Sequence, residues 1–316
     1  MSTTTSQSIS LAPSVQSGLA DGVGNTPLIK LHRITAQLSN RVEILAKAEW
    51  YNPSGSVKDR PALQIMRAAL MAGQLRHGRR LLDSTSGNMG IAYATLGAAL
   101  GIQVTLCVPA SASPERLRIL RALGAEVILT DGSEGSDGAI LAARKLAEAE
   151  RSGYWYANQY DNPANWQAHY MTTGPEIVAQ TGGAITHFVA GLGTSGTLMG
   201  SGRYLRDKIP NVEIIGVQPD AAFHGLEGLK HMPTAIKPGI FEPDFPDRTL
   251  EIRTEAAHAM VRLLARQEGL FVGISSGAAM VAAMELAAEL REGTVVTIFP
   301  DAGYKYLSED SLWEVA

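Results

Sequence analysis

The stretch Gly191-Leu192-Gly193-Thr194-Ser195-Gly196-Thr197 places three glycines and three hydroxyl side chains between an apolar run and a helical pattern. Backbone N–H groups at a helix start point outward, and the local dipole favours an anion. With the hydroxyls of Thr194, Ser195 and Thr197 added, phosphate is the natural guest. The turn is also a formal G-x-G-x-x-G, which expects an acid at the end of the next strand to hold a dinucleotide's ribose. That strand ends Gly216-Val217-Gln218-Pro219, with Asp220 beyond the proline. Three hydroxyls suit an isolated phosphate monoester better than a pyrophosphate lying against bare backbone. A tight strand-to-helix turn without a ligand is the remaining reading.

Three further segments carry chemistry. Ser84-Thr85-Ser86-Gly87-Asn88-Met89-Gly90 again aims N–H groups and small hydroxyls at one place. A carboxylate suits it, and the Asn88 amide, donor and acceptor at once, suits a phenolate oxygen on a ring. The alternative is a capped helix start. Lys58 lies in Asn52-Pro53-Ser54-Gly55-Ser56-Val57-Lys58-Asp59-Arg60, just before a helix. A helix N-terminus and nearby Arg60 make a positive place that favours the neutral amine, the form that makes imines. Read alone, it is equally a solvated loop lysine. In Gly273-Ile274-Ser275-Ser276-Gly277-Ala278 a serine meets a ring nitrogen or caps a helix.

These segments need elements to position them, and strand-like runs alternate with helical patterns along nearly the whole chain. The pattern predicts strands over 42–46, 104–108, 126–129, 154–157, 186–190, 213–217 and 294–299. It predicts helices over 61–73, 90–100, 114–123, 138–151, 165–181, 197–208, 255–268 and 277–291, with 219–249 irregular. Pro61 in a first turn and Gly73 at an end are ordinary helix punctuation. Such alternation implies α/β layers with largely parallel sheets, whose ligands bind at the carboxyl ends of strands.

Composition sets limits. With 316 residues, 45% hydrophobic, two domains can bury sizeable cores. A net charge of -4 with interspersed signs leaves no footprint for nucleic acid, and no apolar run reaches the length of a membrane span. The lone Cys107 reads as a strand core residue, excludes an intrachain disulfide and fits a cytoplasmic setting. The seven histidines show no metal-ligand spacing, and no G-x-S-x-G elbow is present. Met1 to Gly22, rich in Ser and Thr without Lys or Arg, has neither signal-peptide nor transit-peptide character and reads as a loose arm over a partner subunit.

In this order the four segments resemble the cysteine synthase (O-acetylserine sulfhydrylase) family of fold-type II pyridoxal-phosphate (PLP) enzymes. The likeness runs from Gly24-Asn25-Thr26-Pro27-Leu28 to Asp301-Ala302-Gly303-Tyr304-Lys305-Tyr306-Leu307-Ser308. Asn162-Pro163-Ala164-Asn165 and Thr173-Gly174-Pro175-Glu176 also match, in order. Dehydratases of the same fold usually show phenylalanine before the lysine, where this chain has Val57.

The resemblance implies a two-domain α/β protein of three-layer open sheets, like tryptophan synthase β. Residues 1–47 and 159–316 would form the larger, PLP-binding domain, and 48–158 a smaller, mobile domain that closes on substrate. Lys58 would hold PLP as a Schiff base and then act as acid and base. Asn88 would hold its 3-oxygen, Gly193, Thr194, Ser195, Gly196 and Thr197 its phosphate, and Ser275 its pyridine nitrogen. Thr85, Ser86 and the backbone of Asn88 and Met89 would receive the substrate carboxylate, with Gln159. The implied reaction is β-replacement on O-acetylserine or O-phosphoserine by a sulfur donor, giving cysteine, in a homodimer. Other β-replacements, such as cystathionine synthesis or ligation onto phosphoserine, are the alternative.

The stretch from Gly225 to Pro233 resembles the B-type and O-phosphoserine-using branch, which carries arginine near the position of Lys230. Lysine would meet a phosphate as a point charge, beside His231; a surface lysine in a mobile loop is the other reading. Met89 stands where relatives have threonine, so one hydroxyl near the substrate carboxylate is missing.

Overall fold

Apolar runs become strands and glycine-led segments become helices in the computed structural model, which describes residues 18–38, 41–76, 78–85 and 87–313. The strands are β1 (Leu28–Lys30), β2 (Arg41–Ala48), β3 (Arg80–Ser84), β4 (Val104–Pro109), β5 (Glu126–Thr130), β6 (Tyr154–Tyr156), β7 (His187–Gly191), β8 (Glu213–Pro219), β9 (Arg248–Ile252) and β10 (Glu292–Phe299). The main helices are α1 (Asp59–Met71), α2 (Asn88–Leu100), α3 (Pro114–Ala122), α4 (Gly135–Ala149), α5 (Ala164–Met171), α6 (Thr173–Thr181), α7 (Gly196–Lys208), α8 (Thr254–Leu263) and α9 (Ile274–Glu289).

Two sheets result. One has the order β1-β2-β10-β7-β8-β9 and the other β5-β4-β3-β6. Only β1 pairs antiparallel, against β2; the remaining ladders are parallel. Side chains alternate across a strand, and both cores obey that period. Val189, Ile215, Val217 and Val295 join the cluster under α8 and α9, while Phe188, Ala190, Ile214 and Val296 join the one under α6 and α7. In the second sheet Leu81, Val104 and Leu106 pack with α1 and α2, and Leu82 and Cys107 with α4. Each sheet is thus covered on both faces, which is why its central strands are largely apolar. No helix among the described residues is long and apolar enough to cross a membrane.

Several boundaries differ from the sequence reading. The helix expected over 165–181 is two, broken at Thr172. Pro175 has no N–H for the Met171 carbonyl and its ring crowds that position. β9 begins at the end of the stretch read as irregular and runs past it, and it was not anticipated because a half-exposed edge strand needs no continuous apolar run. β1, at three residues, is too short for a pattern to register. The helices over 90–100 and 277–291 start earlier, at Asn88 and Ile274. The reading of 1–22 as an arm lies largely outside the described residues; Leu19–Gly22 form one short 3-10 turn.

The segment carrying Lys58 is pinned by buried charge. Arg60 donates to Glu49 Oε2 at 2.7 Å and to Glu176 Oε1 at 2.6 Å, and Lys47 Nζ lies 2.6 Å from Glu176 Oε2. Burial alone would raise the Glu176 pKa, but Arg60 and Lys47 outweigh it and hold it at about 2. β2, α1 and α6 are therefore locked where α1 begins.

Asp83, at the carboxyl end of β3, accepts the Ser84 N–H at 2.8 Å and the Gln159 N–H at 3.2 Å. Burial raises its pKa from 3.8 to about 7 despite these bonds. The folded protein then binds a proton that the unfolded chain releases between roughly pH 4 and 7, so this group favours the folded state increasingly as pH falls through that window. We expect the thermal midpoint of the wild type to rise relative to that of Asp83→Asn on going from about pH 8 to about pH 5. A difference that stays constant with pH would refute the raised pKa.

Candidate active site

The carboxyl ends of β3, β7 and β10 face one cavity, where glycine-rich turns lead into helices. At the end of β7 the chain turns through 191–196 into α7. Ser195 takes the left-handed conformation (φ 68°), uncommon for a residue with a side chain and costly by roughly 1–3 kcal/mol. A Cβ on Gly193 would fall 2.3 Å from the Gly228 carbonyl oxygen, and one on Gly196 would fall 1.9 Å from Asn165 Oδ1. These glycines are demanded by close approach. Thr194 Oγ1 accepts from Asn165 Nδ2 at 3.1 Å, and Thr197 Oγ1 lies 3.3 Å from His169 Nε2. The Ser195 hydroxyl is buried without a partner among the described residues. A strained turn holding an unsatisfied donor at a helix start is a built anion cradle.

Lys58 enters from another side. Ser56 bridges to Asp301, and the Val57 N–H donates to the Pro300 carbonyl at 2.8 Å, fastening the segment to the end of β10. Lys58 lines the cavity, and its Nζ has no ion pair with a described residue. Burial lowers its pKa; Asp301 and Glu49 oppose the shift, and Lys305 adds to it. The expected lowering is present, but its cause differs from the sequence reading. Glu49 and Glu176 neutralise Arg60, and burial takes its place.

Asn88 opens α2. Its Nδ2 donates to Asp301 Oδ2 at 2.6 Å, and its Oδ1 accepts from Lys305 Nζ at 2.7 Å. The amide is thereby oriented, with its second N–H left to give. Ser275 lines the cavity from the first turn of α9; the N-cap position is Gly273, so Ser275 is not the cap.

The loop before α2 is shaped by Thr85, whose Oγ1 accepts the N–H groups of Gly87 at 3.1 Å and Gly90 at 3.2 Å. Met89 lines the cavity while belonging to the core of the second sheet. Ser86 lies outside the described residues. Gln159 also lines the cavity, and its Nε2 donates to the Ser84 carbonyl at 2.6 Å. Lys230 is buried rather than loose: its Nζ is 2.8 Å from Asp137 Oδ1 and 5.2 Å from the Tyr160 ring centre. This excludes the surface-lysine reading.

Apart from Ser86 and His231, every residue singled out from the sequence for this site lines the same cavity; His231 Nδ1 lies 2.8 Å from Thr234 Oγ1 instead. Asp301, Lys305, Tyr306, Arg116 and Glu227 were missed. Tyr306 donates to Asp301 Oδ2 at 2.9 Å, so the segment after β10 orients Asn88 from beneath. Its motif was visible at 301–308, but nothing local in that segment tells which atoms it holds.

The family described as "Pyridoxal-phosphate dependent enzyme" matches residues 19–301. The chain is 52% identical over 291 residues to a cysteine synthase of Aquifex aeolicus, covering 90% of this chain and 89% of that one. It is 43% identical over 290 residues to cysteine synthase B of Pseudomonas aeruginosa, covering 92% and 95%. The crystal structure of a cysteine synthase from Entamoeba histolytica superposes with a TM-score of 0.91 at 34% identity, covering 100% of this chain and 94% of that one. Fold, cavity and sequence thus agree, and the chain belongs to the cysteine synthase family of pyridoxal-phosphate dependent enzymes.

Proposed function

We propose that the chain makes L-cysteine by β-replacement on an O-activated L-serine, O-acetylserine or O-phosphoserine, with a sulfur nucleophile. The observation that carries this reading is the convergence of Lys58, Asn88, Ser275 and the 193–197 turn on one cavity. The residues fit the cofactor. The partnerless Ser195 hydroxyl and the crowded glycines around it suit a phosphate. Lys58 offers an amine without an ion-pair partner, Asn88 an oriented amide, and Ser275 a hydroxyl for the ring nitrogen. When bound, PLP would withdraw electrons from the donor's α-carbon so that its β-substituent can leave.

The protein's own groups do the rest. Lys58 Nζ, kept toward the neutral form by burial, takes the proton from the α-carbon. The Asn88 and Met89 N–H groups at the start of α2, with Thr85, Ser86 and Gln159, hold the carboxylate. Ser275, facing the ring nitrogen, would leave it uncharged, which would suit loss of the β-substituent. Lys230 is the cation for a phosphate leaving group. The body 48–158, containing the four-stranded sheet, closes over the substrate against 1–47 and 159–316. The active form is assigned as a cytoplasmic homodimer; the lone, buried Cys107 is consistent with a reducing compartment.

Purified protein given each donor with sulfide should produce cysteine; no turnover with either donor would overturn the reading. Lys58→Ala should abolish turnover and the visible absorption band of the protein-bound cofactor, and retention of both would refute the role of Lys58. Lys230→Ala should raise KM for O-phosphoserine more than for O-acetylserine, by about tenfold for one charge-assisted contact. Equal effects on the two donors would make Lys230 a bystander.

A further inference from the structure

Four charged side chains line the cavity among the described residues: Lys58, Arg116 and Lys230 against the single carboxylate Glu227. The phosphate cradle at 193–197 uses none of these cations. Lys58 is given to the cofactor, and Arg116 and Lys230 are paired with Glu227 and Asp137, so a further anion in the cavity would have to displace one of these acids.

Arg116 comes from α3, on the four-stranded-sheet side, and Glu227 from the irregular segment after β8, on the other side. They form a two-pronged pair: Nη1 with Oε1, and Nη2 with Oε2 at 2.8 Å. The Arg116 side chain is 4% exposed and that of Glu227 32%. The two partners are not equally committed. Arg116 also lies over the Tyr306 ring, 5.2 Å from its centre, and Tyr306 is anchored on Asp301. Its guanidinium stands beside the loop ascribed to the substrate carboxylate, 3.4 Å from where a Cβ on Gly87 would be. Glu227 stands on the irregular segment after β8, more exposed than Arg116, and is followed by Gly228 with φ 89°. If the pair opens, the aromatic shelf keeps Arg116 facing the cavity while Glu227 can turn to solvent. A buried guanidinium demands a replacement anion, and its planar fork matches a phosphate as well as a carboxylate.

We infer that Arg116 is a specificity-determining residue that exchanges Glu227 for the phosphate of an O-phosphoserine donor. The inference rests on the cysteine synthase reading for its substrate and on geometry for its site. Glu227 acts as a stand-in anion that keeps Arg116 satisfied while no donor is bound and competes against donors with an uncharged leaving group.

The holoenzyme tests this in two ways. Calorimetric titration with inorganic phosphate should show about tenfold tighter binding in Glu227→Gln and about tenfold weaker binding in Arg116→Gln, the scale of one charge-assisted contact. The ratio of kcat/KM for O-phosphoserine over that for O-acetylserine should rise in Glu227→Gln and fall in Arg116→Gln. Should Arg116→Gln fold poorly, the near-isosteric Glu227→Gln decides alone. A purely structural clasp predicts that Glu227→Gln weakens phosphate binding and lowers both donors equally, and that outcome overturns the inference. If the wild type turns over neither donor, the cysteine synthase reading falls, while the phosphate titration still decides the role of Arg116.

Discussion

The guanidinium of Arg60, buried between Glu49 and Glu176, is the interaction on which the site depends. It joins the end of β2, the start of α1 and the first turn of α6, and Lys47 completes the charge balance from the same strand. A buried charge of this kind is costly to leave unpaired, by roughly 3–5 kcal/mol. The four groups therefore hold one arrangement, and the lysine two residues before Arg60 inherits it. A reactive amine needs a defined position and little competition for its lone pair. The network supplies the first by taking Arg60 and Glu49 out of free play.

The same economy of partners runs through the cavity. Asp301 does not pair with Lys58 within ion-pair distance; it orients Asn88 and Tyr306 and acts on Lys58 only through space. Asn88, held at both ends of its amide, presents one direction. Thr85 serves the backbone of its own loop, leaving the N–H groups at the start of α2 to a ligand. Asn88 and the turn before α2 are thus held in place by hydrogen bonds with Asp301, Lys305 and Thr85. Among the buried polar atoms without a partner in the described residues, the Ser195 hydroxyl lies in the turn proposed to take the phosphate.

Two ion pairs, Arg116–Glu227 and Lys230–Asp137, tie the two sheet bodies together beside the cavity. Coupling cations of the cavity to acids of the opposite body links substrate charge to cleft geometry.

Much of this was legible in sequence, and the reason is periodicity. Parallel sheets covered on both faces need continuous apolar strands, and the turns from strand to helix need glycine and small hydroxyls. The strand-to-helix turns at 84–90 and 191–197 and the serine at the start of α9 stand out for that reason, as does the phosphate preference of 193–197. The edge strand β9 did not, because an edge may be half polar, and the break at Thr172 hid within a continuous helical pattern. Sequence alone thus determined the α/β class, and through its resemblance to the family it pointed to the residues proposed to hold PLP. Only tertiary structure decided that burial, rather than Arg60, lowers the Lys58 pKa, that Lys230 is an enclosed partner of Asp137, and that Arg116 and Glu227 meet across the cavity. Those facts depend on contacts between residues far apart in the chain, whose energies come from enclosure and distance, and no local pattern of residues encodes either.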